Sequence, residues 1–256
     1  MKRIKLVLAT VMLFFLAGCF EITEEIDIKS NGSGELTVNT DMSQLLDIMQ
    51  TYLGKEEMDK QMPNKIMDTT LLMKDIVDTA KNITPDKKAL VRDGKVHMKL
   101  NMDEKLFKAD MHFPFTSLSN LQKLYTSMND GTLGTSNLFK GLASGKDDNS
   151  DSATMPDMNQ FNSMYDFQSK DGLISRKLNA DKWKSLQQSQ DFAQIKQATS
   201  MGVEVPYTII INLPRPVKRI DNSLAKLSDD KKTVTIKYNL TEVFDHPEKF
   251  EYTITY

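Results

Sequence analysis

Cysteine and histidine are scarce in this chain, and each shortage excludes a class of protein. Cys19 is the single cysteine among 256 residues, so no disulfide can form within the chain. The three histidines, His97, His112 and His246, leave little material for a histidine-rich metal site. The G-x-S-x-G elbow, the Walker loop, the dinucleotide fingerprint and H-E-x-x-H are also absent from the sequence. We therefore expect a fold stabilised by its hydrophobic core, with no enzyme activity, no catalytic residue, no metal and no cofactor.

Long apolar runs are lacking too, and the one near the N-terminus is short. It extends from Leu6 to Leu16 and follows three basic residues, Lys2, Arg3 and Lys5. A membrane-spanning helix needs about 20 apolar residues, more than this run supplies. A positive start, a short apolar segment and small residues at its end are the features of a secretory signal. We therefore predict a signal peptide over residues 1–18.

The end of this segment, Leu16-Ala17-Gly18-Cys19, resembles the lipobox of bacterial lipoproteins. The resemblance implies cleavage before Cys19, a diacylglycerol joined to its thiol, and acylation of its new amino group, as by palmitate. One acyl chain binds a membrane marginally, whereas two or three anchor a protein firmly. The implied location is extracytoplasmic, on the cell membrane or the outer membrane. Two alternatives are an ordinary signal peptide with a chance cysteine and an uncleaved N-terminal anchor.

The charge balance argues against a nucleic-acid partner. Removing residues 1–18 leaves 30 basic and 35 acidic residues, a net charge of −5. Nucleic-acid-binding domains instead present a basic face. The length of the remaining chain fits one domain over residues 19–256.

Alternating apolar residues predict several β-hairpins. Residues 21–29 and 36–40 alternate around a glycine-rich turn, and a loop at 31–33 would place Ile28 opposite Leu36. Residues 95–102 and 107–115 form a second hairpin with one apolar face. Its predicted pairs are Val96 with Met111, Met98 with Ala109, and Leu100 with Phe107. A third hairpin at 164–179 turns at Asp171-Gly172, and residues 205–256 contain mainly strands.

Helical spacing of apolar residues predicts the remaining elements. The expected helices cover about 43–53, 64–82, 116–128 and a segment that begins at Asp181. Residues 129–160 are rich in Gly, Ser, Asn and Asp, which predicts a flexible loop. The fold class is therefore α+β, an antiparallel sheet built from β-hairpins with about four amphipathic helices on one face.

Two groups of polar residues are candidates for a metal site or for a pair of functional carboxylates. His97 faces Asp110 in the second hairpin, with His112 as a diagonal neighbour. These residues could bind a metal, but no fourth ligand stands at a recognisable spacing, and a solvated face with a weak ion pair is favoured. The adjacent carboxylates Glu24 and Glu25 lie in a charged run, which favours a solvated face as well.

Both ends of the mature chain resemble the LppM-type lipoprotein domain. The similar features are Cys19 with the strand at Ile26 and Ile28, the turn at 31–34, and the strands of 203–256 around Leu213-Pro214 and Asp229-Asp230-Lys231. The resemblance covers about 20–45 and 203–256. It implies an α+β envelope lipoprotein that binds a lipid or glycolipid, and it implies no catalytic residue.

The favoured hypothesis is a non-catalytic, lipid-anchored lipoprotein that binds a lipid or another apolar ligand. We expect its pocket between the sheet and the methionine-rich helices. The alternative is a scaffold lipoprotein that binds an envelope protein partner through the 129–160 loop and a sheet face. A hydrolase is the third hypothesis, and it requires two perturbed acid–base groups in one cleft.

Overall fold

The computed structural model describes residues 21–44, 46, 50–51, 54, 56, 66–78, 83–129, 160–189, 192–193, 196 and 204–256. Within them the chain forms two β-sheets that share one hydrophobic core. The α+β class is confirmed, although the hairpins are divided between two sheets.

Eight strands form the large sheet, in the order β10-β11-β8-β1-β2-β5-β4-β3. Their bounds are β1 Glu21–Ile28, β2 Gly34–Asp41, β3 Ile66–Leu72, β4 Lys95–Asn101, β5 Leu106–Phe115, β8 Pro206–Asn212, β10 Ala225–Leu227 and β11 Thr233–Asn239. All neighbours pair antiparallel except β1 and β8, which run parallel. At the centre of the sheet this pair places the first strand beside a strand from the C-terminal part of the chain.

Four strands form the small sheet, in the order β6-β7-β12-β9. Their bounds are β6 Tyr165–Lys170, β7 Leu173–Leu178, β9 Arg219–Ile220 and β12 Tyr252–Thr255. The predicted turn at Asp171-Gly172 joins β6 to β7, and Gly172 has a φ of 74°, which favours glycine. Near the end of the strand-rich segment 205–256, residues 252–255 form a strand within this sheet, whereas Phe250 belongs to a 3₁₀ helix.

The helices are short, with one exception. Their bounds are α1 Met73–Val77, α2 Pro85–Val91, α3 Leu118–Asn129, α4 Gln160–Ser163 and α5 Ala180–Gln187, with 3₁₀ helices at Leu240–Phe244 and Pro247–Phe250. The amphipathic α3 buries Leu121, Leu124 and Tyr125 in the core. α5 begins where the Asn179 side chain accepts hydrogen bonds from the N–H groups of Asp181 and Lys182. The predicted helix at 116–128 is therefore confirmed, and the one from Asp181, which we expect to continue after a possible break to about 200, is confirmed as far as Gln187.

One predicted helix is wrong in its first part. Residues 66–72 of the expected 64–82 helix form strand β3, at the edge of the large sheet, and of the remaining described residues 73–77 are helical. Ile66 is 70% exposed, so it does not belong to a buried helical stripe. Instead Met67, Thr69 and Leu71 alternate towards the core as half-buried side chains. Pairing with β4 decides the structure of a segment whose local pattern is weak.

The two main hairpins test the predicted registers. The β4–β5 hairpin is confirmed, with Val96 opposite Met111 and Leu100 opposite Phe107. The β1–β2 register is wrong by two residues, because Ile28 lies opposite Gly34 rather than Leu36. Gly34 is required there, since a Cβ atom would lie 1.8 Å from the carbonyl oxygen of Asp27. A shift of two keeps every side chain on its face, so the hydrophobic pattern cannot distinguish the two registers.

Two predicted segments fall largely outside the described residues. They are the 129–160 loop, of which 130–159 are not described, and most of the apolar stripe of the 43–53 helix. At the start of that helix, the Asp41 carboxylate accepts a hydrogen bond from the Ser43 N–H at 3.0 Å.

Candidate functional site

The residues of the predicted anchor, Leu16, Ala17, Gly18 and Cys19, lie outside the described residues, so lipidation stays a prediction. The structure does show where the chain enters the fold. Strand β1 begins at Glu21, and two residues of extended chain span about 7 Å at most. A lipid on Cys19 would therefore lie close to the start of a central strand. We call this end of the large sheet the proximal end, and the end at Ile28 the distal end.

The distal end contains a cleft of about 430 Å³. It lies between the β1–β2 turn, the start of α3, the β6–β7 turn, the loop after β8, and Tyr256. Its volume falls within the range of small-molecule sites, about 300–1,000 Å³. Strand β1 is eight residues long, so the cleft lies about 23 Å from the strand's first residue. The sequence predicts a pocket between the sheet and the methionine-rich helices, whereas this cleft lies where strands end.

The cleft combines an apolar floor with charged groups. Ile28, Leu118 and Pro214 supply the aliphatic surface, beside the Tyr256 ring. Lys29, Asp171 and Arg215 supply the charges. Such a lining suits a ligand that has both an apolar part and a polar group.

Arg215 is held in place by three constraints. Pro214 and Pro216 flank it and restrict the backbone. Its guanidinium carbon lies 5.2 Å from the centroid of the Tyr256 ring, a cation–π contact. One guanidinium nitrogen also donates to Asp171 Oδ1 in the β6–β7 turn.

The start of α3 adds a polar wall. Ser117 Oγ accepts a hydrogen bond from the Asn120 N–H at 3.2 Å, as an N-cap does. Ser117 and Leu118 both line the cleft. The positive end of the helix dipole therefore borders the cleft beside Lys29 and Arg215.

A second polar group, which we call the interior cluster, lies in the core. Its members are Glu24, Tyr125, Asn162, Tyr165, Arg176, Tyr207, Tyr238 and Tyr252, all buried. Glu24 Oε2 accepts hydrogen bonds from the hydroxyls of Tyr207 at 2.7 Å and Tyr125 at 3.3 Å. Asn162 Nδ2 donates to Tyr207 Oη at 3.0 Å. Helices α3 and α4 are thereby joined to the centre of the large sheet.

Arg176 is the positive member of the interior cluster. It lies on β7 with no exposed surface, and its guanidinium carbon is 4.0 Å from the centroid of the Tyr165 ring. The guanidinium lies close to the hydroxyls of Tyr165 and Tyr238, but its three nitrogens form no hydrogen bond of good geometry among the described residues. Glu24 Oε1 and the hydroxyls of Tyr238 and Tyr252 have none either, within the same ranges. Buried polar atoms are normally paired, so these atoms are an unusual concentration of unsatisfied polarity.

Burial sets the protonation of the interior cluster. It raises the pKa of Glu24 above its ordinary value of 4.5, and Arg176, Tyr207 and Tyr125 oppose this only in part. Burial likewise raises the pKa of Tyr238 to about 12. The interpretation of Glu24 as part of a solvated face is wrong, since the residue is 2% exposed. The sequence does contain a sign of this burial, because Glu24 alternates in phase with the apolar residues Ile22 and Ile26.

The hydrolase hypothesis requires two acid–base groups with perturbed pKa values in one cleft. The interior cluster contains perturbed groups, but none of its residues lines the distal cleft. Glu24 and Arg176 are also shut off from solvent. A substrate could not reach them without a change in the fold.

His97 and His112 lie on the outer face of the large sheet, in β4 and β5, and His246 lies between the two 3₁₀ helices. His97 Nε2 is 2.8 Å from Asp68 Oδ1, and His97 Nδ1 is 3.6 Å from Asp110 Oδ2. The hydrogen bond with Asp68 is the main cause that raises the pKa of His97. His112 Nδ1 lies 3.4 Å from Thr37 Oγ1, and His246 Nδ1 lies 3.3 Å from Glu248 Oε1. Among the residues that the structure describes, no three His, Cys, Asp or Glu side chains are arranged to hold a metal ion.

Comparisons with known proteins give little further information. No family model matches the chain, and no curated protein matches it. The structure is similar to the NMR structure of the folded domain of LppM from Mycobacterium tuberculosis, with 8% sequence identity and a TM-score of 0.30. The match covers 92% of this chain and 86% of that one. In the described parts of the chain, no helix has the length and apolar character needed to cross a membrane.

Proposed function

We propose that this protein is a non-catalytic envelope lipoprotein, anchored through lipidated Cys19, that binds a lipid or another apolar ligand in its distal cleft. The supporting observation is the placement of the cleft at the opposite end of β1 from Cys19. The short connection to β1 leaves the anchored end little freedom. An anchored chain would hold the cleft about 23 Å away from the lipid, open to ligands outside the membrane.

The anchor is tested on the full-length protein in its native envelope. Cys19→Ala and Cys19→Ser both remove the thiol, so we expect both to abolish palmitate labelling and release the protein from membranes. Ser43→Ala, which retains Cys19, serves as the control and should label normally. Membrane retention and palmitate labelling of both Cys19 variants would exclude the lipoprotein assignment.

The ligand is tested on the lipoprotein after extraction in a mild maltoside detergent. Native mass spectrometry should detect a co-purified apolar molecule or binding of octanol, which is small and uncharged. Ser30→Trp places a large side chain at the cleft from the β1–β2 turn and should reduce binding at least tenfold. Asp103→Trp makes the same kind of change in the exposed β4–β5 turn, at the proximal end, and should have no effect. Equal binding by both variants would show that the distal cleft is not the ligand site.

A scaffold role is the second candidate, and the β3 edge favours it. Ile66 and Leu72 are 70% and 42% exposed on β3, which within the described ranges pairs with β4 on one side alone. Exposed edge strands can pair with a strand from another protein. Crosslinking from position 70 in the native envelope would detect such a partner, and the absence of any crosslinked protein would count against this role.

A further inference from the structure

We propose that the distal cleft recognises a carboxylate group on its ligand, with Arg215 as the main contact and Lys29 as the second. The inference rests on the proposed function and names the polar group that accompanies the apolar part. Its basis is the cleft itself, together with the charges and hydrogen bonds of the residues that line it.

The Arg215–Asp171 pair is the first observation. The Asp171 carboxylate, in the β6–β7 turn, accepts a hydrogen bond from the guanidinium of Arg215. The Asp171 side chain is 85% exposed, so this ion pair contributes little to stability and can be exchanged. A guanidinium has five N–H donors in a planar fork, and Asp171 uses only one of its nitrogens. A ligand carboxylate can therefore bind beside Asp171 or replace it on Arg215.

The surroundings of Arg215 give the second observation. The Tyr256 side chain lines the cleft and is 1% exposed, and its hydroxyl oxygen lies beside the backbone N–H of Gly172 in the β6–β7 turn, which leaves the O–H free to donate. Asp171 and Arg215 are the charged groups that act on this hydroxyl, which places it beside the ion pair. A carboxylate on Arg215 would offer it an acceptor oxygen. Lys29 and the first turn of α3, which also line the cleft, add positive potential.

The charge of the cleft favours a carboxylate over a group of higher charge. Among the side chains that line the cleft, Lys29 and Arg215 supply two positive charges and Asp171 removes one. A singly charged head group balances the remaining charge. The aliphatic floor of Ile28, Leu118 and Pro214 then holds the attached apolar part. The ligand class is an amphiphile with one carboxylate.

The experiment compares three small probes by isothermal titration of the intact lipoprotein in maltoside detergent at pH 7. Octanoate should bind at least about tenfold more tightly than octanol, since it alone can accept charge-assisted hydrogen bonds from Arg215. Acetate tests whether the carboxylate belongs to a small soluble acid or to an amphiphile. If acetate binds as tightly as octanoate, the ligand is a small soluble acid, and weaker binding of acetate identifies an amphiphile.

Four variants connect the affinity to the cleft. Arg215→Met should weaken octanoate at least tenfold, and Lys29→Met should weaken it by a smaller factor, while octanol binding stays the same. Asp171→Asn should strengthen octanoate, because a competing carboxylate is removed from Arg215. Arg219→Met, an exposed arginine on β9 that does not line the cleft, is the matched control and should change nothing.

The outcomes separate this inference from the proposed function. Equal affinity for octanoate and octanol, with no effect of Arg215→Met or Asp171→Asn, would overturn the carboxylate site and leave an apolar-ligand lipoprotein. Failure of both octanoate and octanol to bind would overturn the cleft as a ligand site altogether.

Discussion

Tyr207 donates a 2.7 Å hydrogen bond to Glu24, and the two residues lie on the parallel strands β8 and β1 at the centre of the large sheet. This bond offsets part of the cost of burying a carboxylate, which is several kcal/mol for an ionised group without partners. The other oxygen of Glu24 has no partner among the described residues. The interior cluster is therefore only partly satisfied, and the stability of the protein should depend on the protonation of Glu24.

Glu24→Gln should change how stability depends on pH. Burial raises the pKa of Glu24 above 4.5, so the folded state keeps the proton to higher pH than the unfolded state does. The free energy of unfolding therefore falls as pH rises from about 4.5 to the raised pKa. A neutral glutamine does not ionise, so its free energy of unfolding should not fall in this way. The variant should therefore gain stability relative to the wild type over that pH interval.

Urea unfolding followed by circular dichroism between pH 4 and pH 8 measures the difference. Glu25→Gln is the matched control, because Glu25 lies next in the strand, faces the other side of the sheet and accepts a hydrogen bond from Asn212. A difference between wild type and Glu24→Gln that stays constant with pH would show that Glu24 ionises normally in the fold.

Arg176→Met should destabilise the protein, and Glu24→Gln should reduce that loss. The guanidinium is the cation whose charge opposes the burial penalty of Glu24. Without this cation the ionised form of Glu24 is less stable in the core, and the methionine also leaves the Tyr165 ring without its cation–π contact. A double-mutant cycle with Glu24→Gln should give a coupling energy of about 1–3 kcal/mol. Strictly additive losses would mean that the two charges do not interact.

Strand patterns predicted part of this fold, and the β4–β5 hairpin shows why. Its inward residues alternate without interruption on both strands, so one register alone buries them all with a short turn. The β1–β2 hairpin has the same alternation but a longer loop, and a shift of two residues satisfies the pattern equally well. The requirement for a small residue at Gly34 decides the register, and it becomes visible only when Asp27 and Phe115 are in place.

Long-range pairing could not be derived from local patterns. The parallel pairing of β1 with β8 joins strands about 180 residues apart, and β3 acquires its strand structure from β4. The distal cleft has the same origin, since five separate segments meet there. The burial of Glu24 in the interior cluster was predictable from the sequence, because Glu24 occupies an inward position in an alternating strand, whereas Arg176 lies in a strand whose burial does not alternate. A charged residue in phase with buried neighbours signals a buried charge, even within a charged run.

Gly34→Ala should destabilise the protein more than any other glycine substitution on the β1–β2 hairpin. The new Cβ atom would lie 1.8 Å from the carbonyl oxygen of Asp27 and 2.5 Å from the Phe115 ring. The backbone itself must move to relieve the first contact, so we expect a loss above about 3 kcal/mol, the upper end for overpacking.

Gly32→Ala supplies the comparison for that loss. Gly32 has a φ of 79°, and the nearest atom to an added Cβ is 3.8 Å away. The substitution therefore adds backbone strain of about 1–2 kcal/mol without a clash. Thermal unfolding measures both variants, and a larger loss for Gly32→Ala than for Gly34→Ala would contradict the β1–β2 register.

His97 should titrate above its ordinary pKa of 6.5, and Asp68 should account for most of the difference. The Asp68 carboxylate is 2.8 Å from the His97 ring, compared with 3.6 Å for Asp110. Asp68→Asn should therefore lower the pKa of His97 further than Asp110→Asn does, because the closer carboxylate stabilises the charged ring more strongly. Titration of the ring resonances by NMR gives each value directly, with Asp93→Asn as a control on an exposed carboxylate outside these contacts. Because β3 must lie beside β4 for Asp68 to reach His97, a larger effect of Asp110→Asn would argue for the helix that the sequence predicts over 66–72.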